Sequence, residues 1–118
     1  MNSQKICLAV DLGAGSGLFS AMLHAAFPNA DLHLIDFSEP MLALARQRLG
    51  ASPRITYTLA DYTTAALPTG CDAIVSALSI HHLDDDIKQS ILPYIHAALR
   101  PGGVFRSEEH TSELQSPA

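Results

Sequence analysis

The stretch VDLGAGSG, residues 10–17, sets a carboxylate two residues ahead of glycines at positions 13, 15 and 17. Gly13 and Gly15 permit a tight turn whose backbone a ligand can approach, and Gly17 lets the following helix start close against a sheet. A dinucleotide fingerprint, G-x-G-x-x-G, needs a glycine at position 18, where Leu18 stands. The pattern is instead G-x-G-x-G behind Asp11. A pyrophosphate has no need of that acid, whereas a cationic ligand does. Two further acids lie at comparable places: Asp36 closes the run DLHLID, and Asp61 with Tyr62 follows RITYTLA. A carboxylate at the carboxyl end of a second parallel strand can reach both hydroxyls of a ribose. One just after a third strand can accept a hydrogen bond from an exocyclic amine.

His81 and His82 are the remaining pair with chemical potential. Adjacent side chains diverge, so the two do not make a metal site by themselves. Either one packs while the other is solvated, or one of them orients or deprotonates a substrate. His24, His33 and His96 read as structural. No C-x-x-C or similar ligand spacing is present, and no metal is expected.

These residues need elements to position them. KICLAVD (5–11) is a nearly continuous apolar run, as a strand buried on both faces requires. From Ser16 to Phe27, apolar residues at Leu18, Phe19, Met22, Leu23 and Ala26 predict a helix that Pro28 stops. DLHLID (31–36) is a second strand. Ser38 then caps a helix beginning Glu39-Pro40 and ended by Gly50. RITYTLA (54–60) and CDAIVSAL (71–78) make a third and a fourth strand. A helix over 84–99 follows, with Asp84, Asp85 and Asp86 against the positive end of its dipole. Pro93 should kink it or divide it in two. Arg100–Gly103 reads as a turn, and Val104-Phe105 opens a fifth strand. Strands alternating with helices predict an α/β, doubly wound parallel sheet, with all three acidic motifs at the carboxyl edge where ligands bind in such folds.

At 118 residues the chain is one domain, and 47% hydrophobic against 16% charged residues makes it globular rather than disordered. A formal net charge of −5 argues against nucleic acid or an anionic membrane surface as the main partner. Cys7 and Cys71 lie in apolar runs and are expected to be buried free thiols in a reducing compartment. Neither a signal peptide nor an apolar run of membrane-spanning length is visible, so a cytoplasmic location is expected.

The motifs together resemble the class I S-adenosylmethionine-dependent methyltransferases, in their small-molecule-methyltransferase-like branch. VDLGAGSG is similar to the family's glycine motif, LIDFSEPML to its ribose-binding acidic strand and helix, and LADY to its adenine-side motif. SALSIHHLDDD resembles the segment after strand four, and LRPGGVF the turn into strand five. The resemblance covers residues 5–105 and implies a Rossmann-like sheet of order 3-2-1-4-5 with S-adenosyl-L-methionine as cofactor. It further implies that Gly13, Ala14 and Gly15 pass along the methionine portion, with Asp11 near its amino group and Gly17 among the cofactor-binding residues. Asp36 would hold the ribose hydroxyls, and Phe37 and Met41 would pack around the adenosine. Asp61 would face the adenine amino group, with the Tyr62 N–H approaching the ring. Ser76 and Ala77 would lie beneath the methionine arm, and His81 and His82 would face a small-molecule methyl acceptor. Direct displacement at the sulfonium methyl needs alignment and desolvation more than a dedicated catalyst, and no catalytic residue is assigned. Two other readings stay open: a nucleotide-cofactor oxidoreductase, opposed by Leu18 and Asp61-Tyr62, and a non-catalytic cofactor-binding module.

The chain departs from that family at both ends. Only Met1–Gln4 precede the first strand, where family members usually carry covering helices. RSEEHTSELQS, residues 106–116, lacks apolar alternation and resembles an in-frame translation of a common sequencing adapter. The expectation is a partial domain over 1–105 with only a stub of strand five, and a non-native, disordered tail over 106–118. On that reading strand four keeps an unpaired edge, and the chain is marginally stable or aggregates.

Overall fold

The computed structural model describes residues 6–15, 17–61, 63–64, 66–76, 85–107 and 113–115. Strands β1 (Leu8–Leu12), β2 (Asp31–Asp36), β3 (Ile55–Leu59) and β4 (Cys71–Ser76) match the four apolar runs read from the sequence. Helices α1 (Leu18–Ala26), α2 (Glu39–Leu49) and α3 (Asp85–Ala98) connect them, and β5 (Leu99–Ser107) and β6 (Glu113–Gln115) complete the sheet. The order is β3-β2-β1-β4-β5-β6, with the first five strands parallel and β6 antiparallel to β5. The doubly wound order expected, 3-2-1-4-5, is the order found.

Alternation along β1 divides the core. Val10 and Leu12 pack with Ile74, Ile91, Ile95 and Phe105 on the face that α3 covers. Ala9 joins Leu32, Leu34 and Ala73 on the other face, with Ala45 of α2, the half-buried Leu23 of α1 and Phe27 just after that helix. Helix α2 follows its expected outline: the Ser38 hydroxyl accepts from the Met41 N–H at 3.4 Å, and Gly50 closes it with φ 78°.

Three expectations need correction. Pro93 does not divide its helix, because α3 runs through it with the proline on the exposed face. There, water can reach the carbonyl that the missing N–H leaves unbonded. Helix α1 forms where the apolar spacing predicts it; within it Leu18 and Met22 are 54% and 61% exposed, and Ser20 is the residue buried against the sheet. Cys7 is exposed; only Cys71 is buried, where desolvation and neighbouring Asp72 push its thiol up to about 11.

The third correction concerns strand five. β5 is no stub: Arg106 and Ser107 continue it opposite Val75 and Ser76, and Glu113–Gln115 pair with Val104–Arg106 as β6. The ladder joins backbone groups, so a partner strand can draw polar residues into register without any apolar alternation. β4 is therefore paired along β5. Between them Arg100–Gly103 bulges out within β5 rather than preceding it, shifting the register between Cys71 and Ala73. Gly103 makes the bulge possible, since a Cβ there would lie 2.8 Å from the Cys71 carbonyl oxygen and 3.0 Å from that of Arg100.

Asp72 holds this end of the sheet. Its Oδ2 accepts from the Cys7 and Leu8 N–H groups at 2.7 and 2.9 Å, and its Oδ1 accepts from Arg100 Nε. One carboxylate thereby joins the start of β1, the start of β4 and the β5 bulge. Burial alone would raise its pKa, but Arg100 and the two N–H groups outweigh that and hold it below the ordinary carboxylate value. A depressed folded-state pKa contributes stability above the unfolded value of about 4, and that contribution is lost as pH falls through the folded value. Asp72→Ala is therefore expected to lower the unfolding free energy at pH 7 by about 2 kcal/mol, kept modest by the half-exposed Arg100. Urea unfolding should show the gap between wild type and variant closing as the pH drops below about 4. A gap of equal size at pH 3 would mean that the carboxylate charge contributes nothing.

Candidate functional site

Register levels the carboxyl ends of four strands. Leu12 stands opposite both Ile35 and Ser76, and Asp36 opposite Leu59. The glycine loop, Asp36, the segment leading to Asp61, and Ser76 therefore share one edge. The loop lies where the connection from β1 runs toward β2 while β4 lies on the other side, the crevice position of a doubly wound sheet.

The glycine loop is held by its own backbone. Gly13, Gly15 and Gly17 have φ of 64°, 57° and 82°, a region in which other residues are strained. The N–H groups of Gly13 and Ala14 both donate to the Ile35 carbonyl, at 2.7 and 3.1 Å. The Gly15 N–H donates to Asp36 Oδ2 at 2.8 Å, and the Gly17 N–H to the Ala14 carbonyl at 3.0 Å. These four N–H groups are thus committed inside the protein. A phosphate-binding loop needs such groups turned outward at an anion. Gly17 has a different partner from the one expected: a Cβ there would meet Ala45 of α2, at 3.0 Å from its Cβ, rather than the sheet.

Asp36 is 5% exposed and bridges two loops, Oδ2 to Gly15 and Oδ1 to the Ser38 N–H at 2.8 Å. A carboxylate has about four acceptor positions, so each oxygen retains capacity for another donor. Beside it the Phe37 ring is 69% exposed, an apolar surface at the mouth of the edge. Met41 is half-buried, and its Cε lies 3.6 Å from where a Gly15 Cβ would be. Loop, acid, aromatic and thioether are brought together here.

The other sequence-derived residues divide. Asp11 is 2% exposed and faces α1, where the Ser20 hydroxyl donates to its Oδ2 at 2.7 Å. It lies beneath the loop rather than in the open crevice. Asp61 is exposed, and its Oδ1 accepts from both the N–H and the hydroxyl of Thr63, at 2.9 and 2.6 Å. Those bonds, the hydroxyl's first, hold its carboxyl below the usual range, so it is an ionised acceptor at neutral pH. Ser76 is fully buried at the end of β4. Tyr62, Ala77, His81 and His82 lie outside the described residues. Among those described, no group of three or more His, Cys, Asp or Glu could hold a metal ion, and no helix is long and apolar enough to cross a membrane.

Ser20 was not singled out from the sequence. The signal was a lone hydroxyl early in an otherwise apolar helix, LFSAMLHAA, nine positions after a buried acid. Asp72 was likewise legible as an acid inside the apolar run CDAIVS, where burial demands a partner.

A sequence profile of the methyltransferase domain family matches residues 9–103. A trans-aconitate 2-methyltransferase of Methylobacterium radiotolerans is 38% identical over 98 residues, which are 83% of this chain and 36% of that protein. A malonyl-[acyl-carrier protein] O-methyltransferase of Ilyobacter polytropus is 28% identical over 101 residues, 86% of this chain and 37% of its own. Among solved structures, an S-adenosylmethionine-dependent methyltransferase from Mesorhizobium loti superposes with a TM-score of 0.73 at 35% identity, covering 87% of this chain and 45% of that one. CalS10 of Micromonospora echinaspora, an amino pentose methyltransferase with S-adenosylmethionine bound, gives 0.73 at 27%, covering 87% and 42%. The chain thus spans little more than a third of the two curated relatives and under half of these two solved chains.

Gly17 supplies a direct test of the loop geometry. Gly17→Ala should cost about 2–3 kcal/mol, roughly half from the left-handed backbone and half from the Ala45 contact. In a double-mutant cycle with Ala45→Gly, the two changes should couple by about 1 kcal/mol. Strict additivity in urea unfolding would show that the backbone angle alone requires the glycine.

Proposed function

The chain belongs to the methyltransferase domain family, and from that membership we propose that the protein is an S-adenosyl-L-methionine-dependent methyltransferase acting on a small-molecule acceptor. One observation carries the cofactor assignment: the described N–H groups of the glycine loop are spent internally, while carboxylates line the same edge. Such an edge suits a ligand with a cationic sulfonium, an ammonium and ribose hydroxyls, and offers little to a pyrophosphate. The oxidoreductase alternative is disfavoured for that reason, and because Leu18 stands in the place of the dinucleotide glycine.

The residues present fit this cofactor. Gly13, Ala14 and Gly15 would lie along its methionine portion, where the absence of a Cβ at positions 13 and 15 allows close approach. Asp36 would accept from the ribose hydroxyls with the lone pairs that Gly15 and Ser38 leave over. Phe37 and Met41 would cover the adenosine, and Asp61, kept ionised by Thr63, would accept from the adenine amino group. The Tyr62 N–H would approach the ring. Asp11 would favour the positive charge of the ligand from beneath the loop, by its field rather than by contact. Ser76 and Ala77 would form the floor at the end of β4, and His81 and His82 would face the acceptor. Bound S-adenosyl-L-methionine supplies an activated methyl group. The part of the chain is to fix its orientation and to exclude water around it.

Calorimetric titration with S-adenosylhomocysteine tests the assignment. The wild-type chain should bind it and should not bind NAD. Asp36→Ala, checked by circular dichroism for retained fold, should weaken binding at least about thirtyfold, corresponding to the loss of charge-assisted hydrogen bonds. NAD binding without S-adenosylhomocysteine binding would replace this reading with the oxidoreductase one.

A further inference from the structure

Asp11 and Ser20 bracket the glycine loop, and their side chains meet beneath it at 2.7 Å. The hydrogen bond joins the two flanks of the loop that carries Gly13, Gly15 and Gly17, each of positive φ. Glycine gains those backbone angles at the cost of freedom, since nothing in its own structure selects them. The loop therefore depends on external ties. Ile35 and Asp36 hold it from β2, and the Asp11–Ser20 pair holds its two ends to one another.

The same pair compensates for what α1 lacks. Its N-cap is Gly17, which offers no side-chain cap, and no acid occupies its first turn. The third helical residue brings a buried carboxyl group to that turn, where the positive end of the dipole favours negative charge. Both side chains are almost fully enclosed, at 2% and 0% exposure, so the bond is not exchanged with water.

We propose that Ser20 is a positioning residue of the cofactor site: by clasping Asp11 it fixes the glycine loop that receives the methionine portion of the ligand. The inference rests on the S-adenosyl-L-methionine reading above. It differs from a purely structural role in what it selects. Adenosine would meet Phe37, Met41 and Asp61, carried by α2 and by the segments after β2 and β3, and Asp36, which keeps its Oδ1 bond to Ser38 outside the loop. The methionine arm would meet the loop itself.

Titration of the wild type, Ser20→Ala and Ser20→Cys with S-adenosylhomocysteine and with adenosine separates the cases. Ser20→Cys preserves size but donates weakly, and guards against a cavity that unfolds the alanine variant. Both variants should bind S-adenosylhomocysteine about 10- to 100-fold more weakly while keeping the wild-type affinity for adenosine. Unchanged affinity for both ligands, or an equal loss for both, would overturn the proposal while leaving the functional reading intact. A wild-type chain that binds no S-adenosylhomocysteine would overturn that reading, and this inference with it.

Discussion

Both oxygens of the Asp36 carboxylate accept backbone N–H groups from different loops, Gly15 on one side and Ser38 on the other. The remainder of the site depends on this bridge. It ties the turn after β1 to the start of α2, and it does so at the level where β2 ends. A glycine turn with three left-handed residues has many conformations of similar energy, and a buried charge-assisted bond is strong enough to select one. The selected conformation turns N–H groups inward, toward Ile35 and Asp36, and so determines which ligand charge the edge accepts. A structural bond and a chemical preference here have one cause.

Acids at the two ends of the sheet serve opposite purposes. At the amino end, Asp72 accepts from Cys7, Leu8 and Arg100, and its charge joins three strands. At the carboxyl end, Asp36 keeps acceptor capacity and Asp61 is exposed, so charge remains available to a ligand. Asp11 stands between these cases, fully buried yet placed under the loop. Parallel strands make this division possible, because their connections gather all the loops that follow strands on one side.

Much of the fold was legible. Apolar runs marked β1 to β4, and Ser38, Pro40 and Gly50 marked α2 to the residue, because capping chemistry is local. Asp36 and the glycines stood out for the same reason: a turn, a strand end and a helix cap are separated by only a few residues. Where local signals were misleading, a distant neighbour had intervened. Leu18 and Met22 have helical spacing yet are exposed, while the polar Ser20 turns inward to Asp11. Arg106 and Ser107 lack strand character of their own and extend β5 because β4 offers the ladder.

The sequence by itself determined the alternation of strands and helices, the glycine turn and the positions of its acids, because these follow from periodicity, steric freedom and short-range capping. Only the tertiary structure decided which partner each acid has. Asp11 meets Ser20, Asp36 meets Gly15 across 21 residues, and Asp72 meets Cys7 across 65. Side-chain hydrogen bonds form between groups that packing brings within about 3 Å. That distance depends on strand order and register, which no short stretch of sequence contains.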